Sequence, residues 1–389
     1  MTMGKITKRE FLKNSALGVC GLALASPSMK LLAKGTESIY GPPVSPGPED
    51  VLWKWSKEAL YYIDTPKGIK CKLCPQACEI KPEDVGDCRT NFNHNGKLYS
   101  ITYGNPCAIH VDPVEKKPLY HFLPATTAYS IATAGCNLAC LNCQNWEISQ
   151  ASPRDTQNYD LMPDQVVKQA KLNNCRSIAY TYSDPVAFYE YTLDTSMLAR
   201  QQGIRNLMIS AGYINEDPLR RLLKYTDAGN IDLKSFDDSI YEMLNAGTLE
   251  PVLRTLKIFK EMGVWLEITN LVVPTWTDDL DMIKKMCEWL VDNELHMYPL
   301  HFSRFHPLYK LTNLPQTPVA TLEKARQIAL EAGIKYSYIG NVPGSGGTNT
   351  YCPKCKKLLI ERIGFSIRQN HIVASHCGYC SEKIDGVWE

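Results

Sequence analysis

Cys136, Cys140 and Cys143 form a Cys-x3-Cys-x2-Cys run within residues 132–146. Cysteine thiolate is the usual protein ligand of iron–sulfur clusters, which normally take four. This run offers three from a single loop, with no fourth cysteine close by. A [4Fe–4S] cubane held in this way keeps one iron open to a small molecule, which makes it a chemical site as well as an electron store. The competing reading is a structural zinc knuckle short of one ligand. The strand-like run 129–133 immediately before the loop favours the cubane, because it plants the loop at the end of a strand.

Two further groups account for most of the other cysteines. Cys71, Cys74, Cys78 and Cys88 fall within 18 residues and begin as a Cys-x2-Cys-Pro knuckle. Four thiols suffice for tetrahedral zinc and equally for a second iron–sulfur cluster. The spacing does not decide between these, and a disulfide pair is a third option. Cys107 is a spare that could replace one ligand. Near the C-terminus, Cys352/Cys355 and Cys377/Cys380 are two knuckles separated by 21 residues, with strand-like stretches at 358–363 and 371–374. Paired knuckles on a hairpin predict a zinc ribbon, with a rubredoxin-type iron site as the alternative. In a chain of 389 residues with 15 cysteines, such pairs read as metal sites better than as a disulfide framework. Cys175 and Cys287 read as small buried hydrophobes.

The elements that must position the Cys136 loop are legible from 129 onward. Apolar runs of strand length recur at 176–182, 204–210, 230–234, 264–273, 297–304 and 334–339. Helical patterns separate them. Ile283, Met286, Cys287 and Leu290 share one face, as do Leu322, Ala325, Ile328 and Ala329. Pro163, Pro218, Pro251 and Pro318 each sit near a helix start, where the missing N–H costs nothing. Alternation over this length predicts an α/β fold of parallel βα units closing into a partial or full barrel. Chemistry in such barrels sits at the C-terminal ends of the strands. That rule gathers residues 180–185, 210–213, Asp232 and Lys234, the polar Glu267, Thr269 and Asn270, and residues 302–307 around the cysteine loop. The charged run 112–124 reads as an ordered loop, a solvated connector by default.

Composition bounds the rest. The chain is 44% hydrophobic and 21% charged with a formal net charge of +1, so a folded core is expected and no field of one sign recommends nucleic acid as a partner. Residues 7–13, Thr-Lys-Arg-Glu-Phe-Leu-Lys, precede an apolar run at 16–25. They resemble a twin-arginine export signal with Lys8 in place of the first arginine. Removal between about Ala25 and Gly35 would leave an exported or membrane-associated protein. Against this stands the cytoplasmic location that the resemblance described next implies for its cofactor. A lipoprotein reading with Cys20 as the lipidated residue is weaker, because Val19 is bulky for its position. Residues 41–48, Gly-Pro-Pro-Val-Ser-Pro-Gly-Pro, read as a linker.

The run 112–122, the cysteine loop with Gln144–Gln150 written Gln-Asn-Trp-Glu-Ile-Ser-Gln, and the stretches 180–185, 212–216, 231–234, 249–253 and 301–307 are similar in series to the AmmeMemoRadiSam-system radical S-adenosylmethionine (radical SAM) proteins. These are relatives of the pyruvate formate-lyase activating enzymes. The resemblance spans residues 60–365 and implies a partial (β/α) barrel of the radical SAM type. In it Cys136, Cys140 and Cys143 carry a [4Fe–4S] cluster whose open iron takes SAM. By position, Ser183 and Asp184 fall where relatives meet the methionine amino group. Asp232 and Lys234 fall near the SAM carboxylate and a monovalent cation, Ser210 at that cation, and His306 at the ribose. The implied organisation is a signal segment at 1–35, a linker and arm at 36–60, a cysteine-rich domain at 61–125, the barrel at 126–343 and a zinc-ribbon module at 344–389. The implied activity is reductive SAM cleavage to a 5′-deoxyadenosyl radical that abstracts hydrogen. Its implied partners are an electron donor such as a flavodoxin or ferredoxin, and a protein substrate, either a glycyl radical enzyme or a Memo-like protein. The reading from another class is a non-catalytic iron–sulfur and zinc electron carrier or scaffold.

Overall fold

The computed structural model describes residues 53–389. The export-like segment, Cys20 and the linker at 41–48 lie outside the described residues. Among the described residues, no helix is long and apolar enough to cross a membrane.

Short antiparallel strands come first. β1 (Lys57–Glu58), β6 (Lys97–Ser100) and β5 (Asn91–His94) form one sheet; β2 (Tyr62–Thr65), β3 (Gly68–Cys71) and β4 (Glu79–Ile80) form another. The arm expected to continue the linker is packed from Trp53 onward. Trp53 and Trp55 meet edge to face at 5.0 Å, and their indole N–H groups donate to the Ile101 carbonyl and to Asp160.

The main sheet has eight strands in strict sequence order: β7 (Ala108–Pro113), β8 (Thr127–Ala132), β9 (Ser177–Tyr180), β10 (Arg205–Ser210), β11 (Ala228–Asp232), β12 (Trp265–Val272), β13 (Leu300–Arg304) and β14 (Ser337–Gly340). From β8 to β14 every pairing is parallel; β7 joins β8 antiparallel. No pairing joins β14 back to β7 among the described residues, so the barrel is partial, as expected. Helices Pro163–Leu172, Tyr189–Gln201, Glu216–Leu223, Leu249–Glu261, Leu280–Asp292 and Val319–Ala332 fill the successive crossovers. The predicted apolar faces are the buried ones. Ile283, Met286, Cys287 and Leu290 are buried, as are Leu322, Ala325 and Ala329.

The run 112–124 corrects the sequence reading. Asp112 lies in β7, so 108–125 belongs to the barrel and not to the small cysteine domain. The segment that follows is not solvated: Val114, Leu119, Phe122 and Leu123 pack against Ala128, Ala179, Leu207 and Ala228 on the strands. Ala179, Leu207 and Ala228 stand side by side in register. Three of the four strand residues are alanines, and the connector fills the space they leave. Each fully buried Leu or Phe there contributes about 1.5–3 kcal/mol. The missed signal was the apolar content of 119–123 itself.

After β14 the chain forms β15 (Thr350–Tyr351), β16 (Leu358–Ile363) and β17 (Ser366–Asn370), then β18 (Ile372–Val373) and β19 (His376–Cys377). This module packs on the connector. Arg362 donates to the Tyr120 carbonyl at 2.9 Å, and Val387 and His121 pair backbone to backbone at 2.7 Å.

The connector carries one buried ion pair. Asp112 accepts from Lys117 at 2.6 Å, from Lys116 at 2.9 Å and from the Tyr182 hydroxyl. Burial alone would raise the Asp112 carboxyl, but Lys117 and Tyr182 outweigh it and hold it well below the usual carboxylate range. Burial lowers Lys117 to about 8. Asp112→Asn leaves a buried ammonium without its partner and should cost about 3–5 kcal/mol, read as a lower denaturant midpoint. Adding Lys117→Met should restore part of that loss; no recovery in the double variant would show that the pair is not what the site depends on.

Candidate active site

The Cys136 loop leaves the C-terminal end of β8. Backbone bonds hold it from several sides: Gly135 N–H to Ile148 O at 2.9 Å, Ala139 N–H to Asn245 O at 3.1 Å and Leu141 N–H to Leu244 O at 2.8 Å. Side chains add to this, with Asn137 donating to Tyr213 O at 2.6 Å and Gln150 to Leu138 O at 3.1 Å. Gly135 is required where it stands. Its φ is +94°, and a Cβ would lie 2.3 Å from Thr90 Cγ2 and 2.5 Å from Cys88 O. The loop therefore rests directly against the small cysteine domain.

The donor set fits the cluster that the spacing predicts. Among the described residues, the Cys352 quartet is the one group of Cys, His or acidic side chains whose ligand atoms all lie within 4.8 Å of one another. Cys136, Cys140 and Cys143 do not draw together as a single ion would require. Burial, then the nearby Asp184 charge, pushes the Cys136 thiol up, and burial does the same to Cys143. Loading a cluster there must displace protons.

The ends of β9 to β11 surround this loop. Ser183 donates to Thr133 O at 2.7 Å. Asp184, buried after β9, accepts from Val186 N at 3.0 Å, from Ser210 Oγ at 3.0 Å and from Ala211 N at 2.8 Å. Burial raises its carboxyl despite these donors. Asp184 thus ties the end of β9 to the end of β10, and Ser210 in turn accepts from Gly212 N at 3.0 Å. Asp232 ends β11, and Lys234 reaches back to it at 2.8 Å. Burial disfavours the Lys234 ammonium, but Asp232 and Cys140 outweigh it and raise its pKa. The result is a held positive charge beside the cysteine loop. His306 is exposed beyond the end of β13.

The expected polar residues of β12 divide. Asn270 lies toward the strand end, donating to Leu233 O at 2.8 Å and so holding the segment that carries Asp232 and Lys234. Glu267 lies toward the strand start and binds Tyr120 N, His121 N and His301. Sequence reasoning missed Asn137 and Asn245. Asn245 is fully buried, and neither amide atom of its side chain has a protein partner.

The other cysteines also find their places. Cys352 and Cys380 stand 3.7 Å apart, as do Cys355 and Cys377. At a Zn–S length of about 2.3 Å the edge of a tetrahedral site is about 3.8 Å, so this quartet fits zinc. Cys71, Cys74, Cys78 and Cys88 line one pocket, which Cys107 does not join. No described cysteine is in a disulfide, which excludes that option in this structure, and Cys175 and Cys287 are buried as expected. Gly135→Ala should destabilise the protein by about 1–3 kcal/mol through backbone strain and overlap. Denaturant unfolding checks it, and an unchanged midpoint would remove the close packing of the two loops.

Residues 130–290 match the family model of the radical SAM superfamily. The chain is 46% identical over 333 residues to an uncharacterized protein of Methanocaldococcus jannaschii, covering 85% of this chain and 99% of that one. It is 24% identical over 220 residues to pyruvate formate-lyase 1-activating enzyme of Escherichia coli, covering 52% of this chain and 89% of that one. The solved structure of Streptococcus suis SuiB bound to S-adenosylmethionine aligns at 13% identity with a TM-score of 0.43, covering 59% of this chain and 53% of that one. With three thiols on one loop at the end of the first parallel strand, the family-model match and the two sequence relatives, the chain belongs to the radical SAM superfamily and is related to the pyruvate formate-lyase activating enzymes.

Proposed function

We propose that this chain is a radical SAM enzyme of the AmmeMemoRadiSam type that cleaves SAM reductively and abstracts hydrogen from a substrate. The observation that carries this reading is the Asp232–Lys234 pair at 2.8 Å, placed beside a loop of three thiols. A [4Fe–4S] cluster on Cys136, Cys140 and Cys143, with SAM on its open iron, would supply one-electron cleavage of the sulfonium bond and a 5′-deoxyadenosyl radical. The protein's own residues do the positioning. Lys234 offers an ammonium to the SAM carboxylate, and Asp232 keeps it charged and aimed. Asp184 fixes the ends of β9 and β10, which places Ser183 and Ser210 at the rim, and His306 stands free for the ribose hydroxyls.

The electron comes from a donor of the flavodoxin or ferredoxin class. Two substrates are compatible with this site. The relation to the pyruvate formate-lyase activating enzymes favours the glycine Cα–H of a partner enzyme. The resemblance of the whole motif series favours the AmmeMemoRadiSam group, with a Memo-like partner. The C-terminal quartet is proposed to hold structural zinc.

Reconstituted, reduced protein should convert SAM to methionine and 5′-deoxyadenosine. Asp232→Asn and Lys234→Ala should keep the cluster but weaken SAM binding about 10–100-fold, the size of a charged hydrogen bond of about 1.5–3 kcal/mol. Wild-type affinity in both variants would sink the strand-end assignment.

Zinc is expected at about one ion per chain on the Cys352 quartet. Cys352→Ala with Cys377→Ala should remove it and lower thermal stability, because the quartet's Cys352 and Cys377 are core residues of the C-terminal module. Zinc content unchanged in that variant would place the metal elsewhere.

A further inference from the structure

The three cysteine groups differ in one respect that spacing in the sequence does not show. The Cys352 quartet draws its sulfurs together, all within 4.8 Å. The Cys136 group does not, as befits a cubane, whose ligand sulfurs each sit outside their own iron and so mark a much larger polyhedron. The quartet of Cys71, Cys74, Cys78 and Cys88 follows the second pattern. Its thiols are not within that distance of one another, yet all four line a single small pocket. Zinc bound by four thiolates needs its sulfurs about 3.8 Å from one another, whereas the ligand sulfurs of a cubane stand further apart.

The lining has the character of a cluster site. Leu73, Ile80 and Val186 make it apolar, which limits water access to a bound metal centre. Polar groups reach individual sulfurs: the Thr90 hydroxyl lies 3.1 Å from Cys88 Sγ, and the Asn91 amide lies 3.8 Å from Cys71 Sγ. The pocket also abuts the SAM site. Asn137, the residue after Cys136, lines it, and Gln76 on its other side donates to Asn137 O at 3.1 Å and to Ala246 O at 2.7 Å. Gly135 touches Cys88 and Thr90 with no room for a side chain.

We infer that Cys71, Cys74, Cys78 and Cys88 hold a second, fully ligated [4Fe–4S] cluster, separated from the first by little more than the Gly135–Asn137 backbone. Its assembly takes iron and sulfide and releases the four thiol protons. With four protein ligands it has no open iron, so it takes no SAM. The assignment concerns a different set of thiols from the SAM site and stands or falls separately from it.

Metal and sulfide analysis of the anaerobically reconstituted chain tests this. Wild type should hold about eight iron and eight sulfide ions, two [4Fe–4S] clusters, with zinc confined to the C-terminal quartet. Cys136→Ala/Cys140→Ala/Cys143→Ala should keep about four iron ions in a cluster whose reduced EPR signal ignores SAM. Cys71→Ala/Cys74→Ala should also keep about four, in a cluster whose signal responds to SAM. The reduced wild type should show magnetic broadening absent from both variants. Wild type with about four iron ions and a second zinc would overturn the inference, as would a triple variant free of iron. The wild-type measurement decides even if a variant fails to fold, and loss of the SAM response with both clusters present would count against the proposed function alone.

Discussion

Glu267 has no exposure to solvent, and its carboxylate is met by four donors from three parts of the chain: Tyr120 N, His121 N, Trp265 Nε1 and His301 Nε2. A desolvated carboxylate is tolerated only when it is paired in this way. Burial works to raise its pKa, but His301, His121 and the backbone donors outweigh it, so the group stays ionised. Two of those donors are backbone N–H groups of the connector. The charge therefore fixes where Tyr120 and His121 sit, and through them the joint to the C-terminal module. Arg362 grips the Tyr120 carbonyl, and His121 meets the Asp385 carbonyl at 2.6 Å. A barrel that does not close by strand pairing is braced across its floor instead.

With the strand starts plugged, the polar residues that remain available lie at the strand ends. The division is visible along single strands. β11 begins with Ala228 against the plug and ends with Asp232 at the site; between them Asn230 donates to Pro118 O at 2.8 Å. β12 carries Glu267 toward the floor and Asn270 toward the site. The same sheet thus serves as a structural clamp at one end and carries the candidate site at the other. At the rim several polar side chains are engaged by the protein itself. Asp184 and Asn270 bond backbone and neighbouring side chains, which is how loops without regular structure hold a fixed geometry.

The cysteine-rich domain is part of this arrangement and not an appendage. Its sheets share a continuous apolar core with the barrel helices, with Ile69, Leu98 and Ile80 in the same cluster as Leu138 and Tyr213. The close approach at Gly135 joins the two cysteine loops. That contact needs a residue with positive φ and no side chain, which only glycine supplies at low cost.

The residue pattern alone determined the cysteine loop, the strand and helix order, the apolar helix faces and the Cys352 quartet. These are local in sequence: ligands a few residues apart, or periodicities of one element. It also put Asp232 and Lys234 at the end of one strand, where the structure has them paired. What it left open depended on contacts between distant segments. The charges of the run 112–124 mask the apolar content of 119–123, and its packing against the alanines on β8, β9 and β11 is a contact between distant segments. Glu267 looks like a site residue because spacing cannot tell which end of a strand faces the chemistry. The role of the Cys71 quartet was undecided for the same reason. Four thiols at a given spacing suit zinc or a cluster, and the distance between their sulfurs is set by how the knuckle folds onto Gly135 and Asn137.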